Sequence, residues 1–144
     1  MMRTFASEES SIAFEGNLAS GELFKLEGGS HHEVGALRRA TTAPHLDFLI
    51  LPLSPIRVPE IEKAIRSKIA FSGYKGIIHV QIAVKDEIVF GAYDNLGRDS
   101  VIVNGTISPG VLDDLVKAET LRGYSPSLRT RSERMVLDSE VSPV

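Results

Sequence analysis

The imidazole of His79 is the group in this sequence best suited to acid–base chemistry. It lies in a run of alternating residues, and a second such run follows after a short polar break. If Asp86 and Glu87 form the turn of a hairpin, counting outward sets Asp94 opposite His79. A carboxylate beside an imidazole fixes its tautomer and raises its basicity, which is the support that a catalytic histidine needs. A loop one residue longer would bring Tyr93 opposite His79 instead.

This count predicts a catalytic set of His79, Asp94 and Tyr93, as in a small hydrolytic or phosphate-handling enzyme. A second pair, His45 and Asp47, lies two residues apart at the start of a buried run, where both side chains could face one side of a strand. Polar residues on a solvated sheet face, or at the entry to a strand, explain both patterns without any chemistry. The enzymatic interpretation therefore requires these side chains to converge on one cleft.

Other motifs of catalysis or cofactor binding are not found in the sequence. The chain has no cysteine, which excludes disulfides, thiolate metal sites and a cysteine nucleophile. It has no Walker-type loop, dinucleotide fingerprint, nucleophile elbow, zincin helix or calcium loop. His31 and His32 would point about 100° apart on a helix, so they cannot easily share one ion. The sequence predicts no cofactor and no metal.

The charge balance and hydropathy limit the classes of partner. The 144 residues have a formal net charge of −3, which gives no general attraction to phosphate backbones and argues against nucleic-acid binding. The basic groups that could make contacts lie near the C-terminus, at Arg129, Arg131 and Arg134. No apolar run reaches the ~18–20 residues of a membrane span, and the N-terminus lacks the apolar core of a signal peptide. A cytoplasmic protein that does not enter the membrane is expected.

The elements that must position these residues follow from the hydrophobic pattern. We predict one α+β domain over residues 11–123, between a flexible N-terminus at 1–10 and a flexible charged tail at 124–144. In the first strand, Glu15 alternates with the apolar residues and falls on the face away from the core. A capping box from Ser30 to Glu33 predicts a short helix to about Ala40.

The predicted order is β-β-α-β-α-β-β-β-α. This order indicates a mixed, largely antiparallel sheet of about five to six strands, with helices packed mainly on one face. A hairpin partner at 23–26 is preferred over a single helical turn there. Apolar runs predict the other strands at 11–18, 46–51, 77–84, 88–93 and 101–103, and helical spacing predicts helices that begin at Pro59 and after Ser108.

The leading functional interpretation is a non-catalytic interaction or regulatory domain that acts through self-association or a protein partner. The last strand of the predicted meander, 101–103, would leave an open edge to which another strand could add. The apolar patch 135–137 could dock on the domain or on a neighbouring subunit. A homodimer is therefore expected. The alternative is the small enzyme centred on His79 and Asp94.

Overall fold

The computed structural model describes residues 2–19, 21–72, 76–93, 101–104, 108–117, 125–126 and 134–136. The helices are α1 (Met2–Phe5), α2 (Val58–Ser72) and α3 (Pro109–Lys117), and Leu23–Lys25 forms a 3₁₀ turn. The strands are β1 (Ser10–Gly16), β2 (Asp47–Pro52), β3 (Ile77–Val84), β4 (Glu87–Ala92), β5 (Val101–Asn104), β6 (Ser125–Pro126) and β7 (Arg134–Val136). Within these residues the strands form one antiparallel sheet in the order β2-β1-β3-β4-β5-β7-β6. The predicted α+β class is confirmed.

One face of the sheet, which we call the helix face, carries the main hydrophobic core. Alternation along β1 and β3 places Phe14 and Ile82 on this face, where both are almost completely buried. The helices cover it: Phe5 of α1, Ile61 of α2 and Leu112 of α3 belong to the same cluster. Full burial of each such side chain stabilises the fold by about 1.5–3 kcal/mol. The predicted packing of helices on one side of the sheet is thus confirmed.

The opposite face, which we call the loop face, is covered by residues 30–46, the covering loop. Leu37 of this loop packs into a second, smaller cluster with Ala13, Phe48, Ile50 and Ala83. Three polar residues also lie on the loop face: Glu15 of β1, and His79 and Gln81 of β3. Glu15 lies on the face away from the main core, as the alternation predicts, but the covering loop buries it there.

The helix predicted from the capping box at Ser30 is not formed. Ser30 pairs instead with Ile50, through bonds from Ser30 N to Ile50 O (2.9 Å) and from Ile50 N to Ser30 O (2.7 Å). The Glu33 carboxylate accepts the amide of Arg39 (2.8 Å) rather than that of Ser30. Gly35 has a φ of +55°, which interrupts a right-handed helix. Pairing with a distant strand therefore outweighs the local cap.

The hairpin partner predicted at 23–26 is also wrong, and the alternative of a helical turn is confirmed. Both sides of β1 are occupied, since β2 and β3 pair with it along its length. No backbone of β1 is left for a third strand. Leu23 of the 3₁₀ turn instead buries its side chain in the main core.

The open edge predicted at 101–103 is filled. β7 pairs with β5, with Val103 opposite Met135 and Ile102 opposite Val136, and β6 adds beyond β7. Two short strands thus lie within the segment 124–144, whose other residues are outside the described ranges. The outer strands of the described sheet are β2 and β6.

Candidate functional site

The β3–β4 hairpin positions His79, and its turn lies one residue earlier than predicted. Val84 pairs with Glu87, so the two loop residues are Lys85 and Asp86. Both have positive φ, 51° and 60°, as a two-residue type I′ turn requires. The Asp86 carboxylate accepts the amide of Ala36 (2.7 Å), which ties this turn to the covering loop. The predicted turn at Asp86 and Glu87 is therefore wrong.

A bulge in the β3–β4 pairing then changes which residue faces His79. Beyond the bulge, Val80 pairs with Ala92, so the next position along β4 brings Tyr93 beside His79. The two rings lie 5.7 Å apart between centroids. The register that set Asp94 opposite His79 is wrong, and Asp94 itself lies outside the described residues. The alternative register, with Tyr93 facing His79, matches the structure.

His79 lies at the base of a buried polar network. It is 5% exposed, and its Nε2 lies 2.7 Å from Oγ1 of Thr41, a hydrogen-bond distance. The residue opposite His79 on the neighbouring strand β1 is Glu15, which is 2% exposed. The Glu15 carboxylate accepts the amides of Ala40 (2.7 Å) and Thr41 (3.2 Å). A buried carboxylate is costly unless such donors satisfy it, so its burial depends on this loop conformation.

Gln81 extends the network toward the surface. It is 9% exposed; its Oε1 accepts the amide of Arg38 (3.2 Å), and its Nε2 donates to Tyr93 Oη (3.1 Å). Gln81 and Glu15, on the strands, and Asp86, in the hairpin turn, thus all accept main-chain amides of the covering loop. These acceptors hold a segment without helix or strand in a defined position on the sheet.

The covering loop also fixes itself through Glu33. Its carboxylate has a pKa below the ordinary value, chiefly because it accepts the backbone amide of Arg39. Partial desolvation opposes this shift, while the Arg38 guanidinium, 3.4 Å away, adds to it. The Arg39 side chain lies over the Phe48 ring, 5.1 Å from its centroid. Residues 33–39 of the loop are thus held by the bonds to the Glu33 carboxylate and by the contact between Arg39 and Phe48.

Beside the covering loop, the loop face opens into a cleft of about 590 Å³. This volume is within the range of small-molecule binding sites. The ring of Tyr93 lies along Gly91, where a Cβ atom would be 2.7 Å from Tyr93 Oη. His79 is not among the lining residues, which are the apolar Ala36, Ile88, Gly91 and Ile102 and the polar Gln81, Asp86, Glu87, Tyr93 and Asn104.

Two carboxylates stand on the wall of this cleft. Asn104 donates its Nδ2 to Glu87 Oε1 (2.9 Å) and to the carbonyl of Ile88 (3.1 Å), which fixes the Glu87 side chain. Asp86 is held by the amide of Ala36. Among the described residues, neither Asp86 nor Glu87 takes part in an ion pair.

The other candidate residues are not brought to the cleft. His45 is exposed, and Asp47 accepts the amides of Leu18 (2.9 Å) and Ala19 (3.0 Å), so this carboxylate holds the chain after β1. Arg134 begins β7, opposite Asn104, while Arg129 and Arg131 lie outside the described residues.

The sequence patterns did not predict that Glu15, Gln81 or Thr41 belongs to the site. The signal for the first two was a polar residue within a strand whose neighbours are almost all apolar. Such a residue is either solvated or paired, and only the placement of the covering loop decides between these outcomes.

Three further properties bear on function: metal-ligand grouping, membrane-spanning helices and similarity to known proteins. In the described part of the chain, no three His, Cys, Asp or Glu residues are grouped to hold a metal ion. No helix there is long and apolar enough to cross a membrane. The sequence matches no protein-family model and no curated protein, and no solved structure matches the chain.

Proposed function

We propose that this chain is a non-catalytic binding domain that recognises a protein partner through the cleft on the loop face. The observation that carries the proposal is that the polar lining of the cleft is already fixed in position. Tyr93 is held by Gln81, and Gln81 in turn by the covering loop. A binding surface that is ordered before its partner arrives loses less conformational entropy on association.

The surroundings of His79 support binding rather than catalysis. His79 is 5% exposed, and its ring contacts Thr41 and Tyr93 and does not line the cleft. A general base must come within about 2.6–3.2 Å of the proton that it removes, which a covered imidazole does not do without loop movement. Its contacts suit a residue that positions the loop.

The outer strands give less support to association by strand addition. On β2, the backbone of Ile50 is paired with Ser30, and the carbonyl of Phe48 lies 3.2 Å from His31 Nδ1. The short β6 contains Pro126, which has no amide to donate to a further strand. The cleft, rather than a sheet edge, is therefore the surface that we propose.

The proposal is tested by NMR with a panel of 12-residue peptides of acidic, basic and apolar composition. We expect at least one class to shift the amide signals of Ile88, Gly91 and Ile102. Replacing Ile102→Trp fills the cleft and should abolish these shifts. The matched control is Ile56→Trp, at a site that is 87% exposed and outside the cleft. Shifts that avoid the cleft, or that survive Ile102→Trp, would contradict the proposal.

A second candidate function is a small hydrolytic enzyme, which the 2.7 Å contact between Thr41 Oγ1 and His79 Nε2 favours. This is the distance of a hydroxyl nucleophile from its general base. The enzyme should hydrolyse an activated ester or phosphate ester, and Thr41→Ala and His79→Gln should each abolish turnover while Thr41→Ser retains it. Equal rates in all variants would exclude this function.

A further inference from the structure

We propose that the cleft takes the cationic side chain of an arginine carried by an extended segment of the partner protein. This inference rests on the proposed function, since it names the chemistry that the same cleft recognises. It follows from the charge of the cleft wall, the nature of its floor and the way in which both are held.

The charge of the cleft is negative, and nothing described in its lining neutralises it. Asp86 and Glu87 are adjacent and exposed, and the described lining contains no lysine, arginine or histidine. The neighbouring cation, Lys85, is paired with Glu9 at 3.5 Å instead. Two like charges on one wall create a local potential that attracts a cation.

The two carboxylates are oriented but not saturated. Asp86 is fixed by one backbone amide, and Glu87 by the amide group of Asn104. An ionised carboxylate has about four acceptor positions, so each retains capacity for further donors. A planar guanidinium supplies five N–H donors and can bind one carboxylate through two parallel bonds. The geometry suits arginine better than the compact ammonium of lysine.

The floor of the cleft suits the rest of an arginine side chain. Ile88 and Ile102 provide apolar surface, against which the methylene groups of a long charged side chain can pack. Tyr93 also lines the cleft, and a guanidinium is attracted to the ring of a tyrosine. A small inorganic cation would use the carboxylates but would leave this apolar surface uncovered.

The test uses acetylated, amidated 12-residue peptides that differ at a single central position, occupied by arginine, lysine, citrulline or glutamate. Citrulline keeps the shape of arginine without its charge. Binding is followed by NMR on the full chain. We expect the arginine peptide to bind most tightly, lysine more weakly, and citrulline and glutamate at least tenfold more weakly than arginine. Increasing salt should weaken the arginine complex.

Variants of the protein make the test specific. Asp86→Asn and Glu87→Gln keep the oxygen that accepts from the loop or from Asn104, and each should weaken the arginine peptide about two- to fivefold. The control Glu27→Gln removes an exposed carboxylate outside the cleft and should leave affinity unchanged.

The outcomes separate this inference from the proposed function. If citrulline or glutamate peptides bind the cleft as tightly as arginine, the inference fails while cleft binding stands. If the arginine peptide binds outside the cleft, or if no peptide binds, the inference also fails. If peptides bind but Ile102→Trp does not weaken their binding, the proposed function fails as well. Shifts in the cleft on concentrating the free protein would identify a second copy as the occupant and overturn the inference of a foreign segment.

Discussion

At the residue scale, Glu15 is a buried carboxylate that accepts hydrogen bonds from two main-chain amides. The residue is 2% exposed, and its carboxylate accepts the amides of Ala40 and Thr41. Desolvating such a group is unfavourable by itself, so its bonds must compensate for the cost. The residue therefore specifies where the covering loop lies more than it adds stability to the sheet.

Truncating this side chain should release the loop. Glu15→Ala leaves two loop amides without their acceptor and should destabilise the protein by about 1–3 kcal/mol. Glu15→Gln, which keeps one carbonyl oxygen, should cost less. Urea denaturation of the three proteins measures this order. Equal stability of Glu15→Ala and the unmodified chain would show that the bonds do not hold the loop.

The lowered pKa of Glu33 predicts a dependence on acid. Because the folded-state pKa lies below the ordinary value of 4.5, this carboxylate stabilises the fold above pH 4.5. That contribution is lost as the pH falls through the folded-state pKa, since protonation weakens the bonds to Arg39 and Arg38. The Arg39 amide signal should therefore shift only below pH 4.5, and Glu33→Gln should remove this transition. A transition that persists in the variant would assign it to another group.

At the element scale, the covering loop depends on a glycine where it meets the hairpin turn. Gly35 has a φ of +55°, and a Cβ atom there would lie 1.9 Å from Asp86 Oδ1. Gly35→Ala should therefore destabilise the protein by about 1–3 kcal/mol and weaken the bond from the Ala36 amide. Thermal unfolding and the exchange rate of that amide measure both effects. Gly110→Ala is the control, because this glycine has no positive φ and a Cβ there would lie 3.8 Å from Ser108 Oγ, an ordinary contact distance.

The hairpin turn itself has residues poorly suited to its shape. Lys85 has a φ of 51°, a region that asparagine tolerates better. Its ion pair with Glu9 is exposed and contributes little. Lys85→Asn should therefore stabilise the protein by up to about 1 kcal/mol, seen as a higher midpoint of thermal unfolding. A lower midpoint would show that the lysine side chain stabilises the fold by more than the strain at this position costs.

These elements also show what the sequence predicts and where it fails. Strands β1 to β5 follow from apolar runs, which alternate with polar residues in β1 and are nearly continuous in β2. Helix α3 begins at Pro109 after Ser108, as the cap pattern predicted. The turn was not predictable, because Lys85 and Asp86 stand where the backbone needs positive φ and glycine or asparagine is usual. The bulge beyond it has no residue pattern that marks it in the sequence. The covering loop was predicted as a helix because its cap pattern is local, whereas the partner of Ser30 is Ile50.

At the scale of the whole molecule, the two faces of the sheet are covered by different kinds of structure. Helices bury the helix face through apolar contacts, whereas the covering loop lies on the loop face through bonds to Glu15, Gln81 and Asp86. The loop leaves part of its face uncovered, and the cleft lies there. The sequence could not locate this cleft, because its walls come from β3, β4, β5 and the covering loop.

The central claim is that this cleft receives a cationic side chain of a partner. Its most direct test is the pattern of intermolecular nuclear Overhauser effects between the arginine peptide and the isoleucine methyl groups of the protein. We expect contacts from the arginine methylene protons to Ile88 and Ile102, and none to the exposed Ile56. Contacts to methyl groups outside the cleft, with none to Ile88 or Ile102, would contradict it.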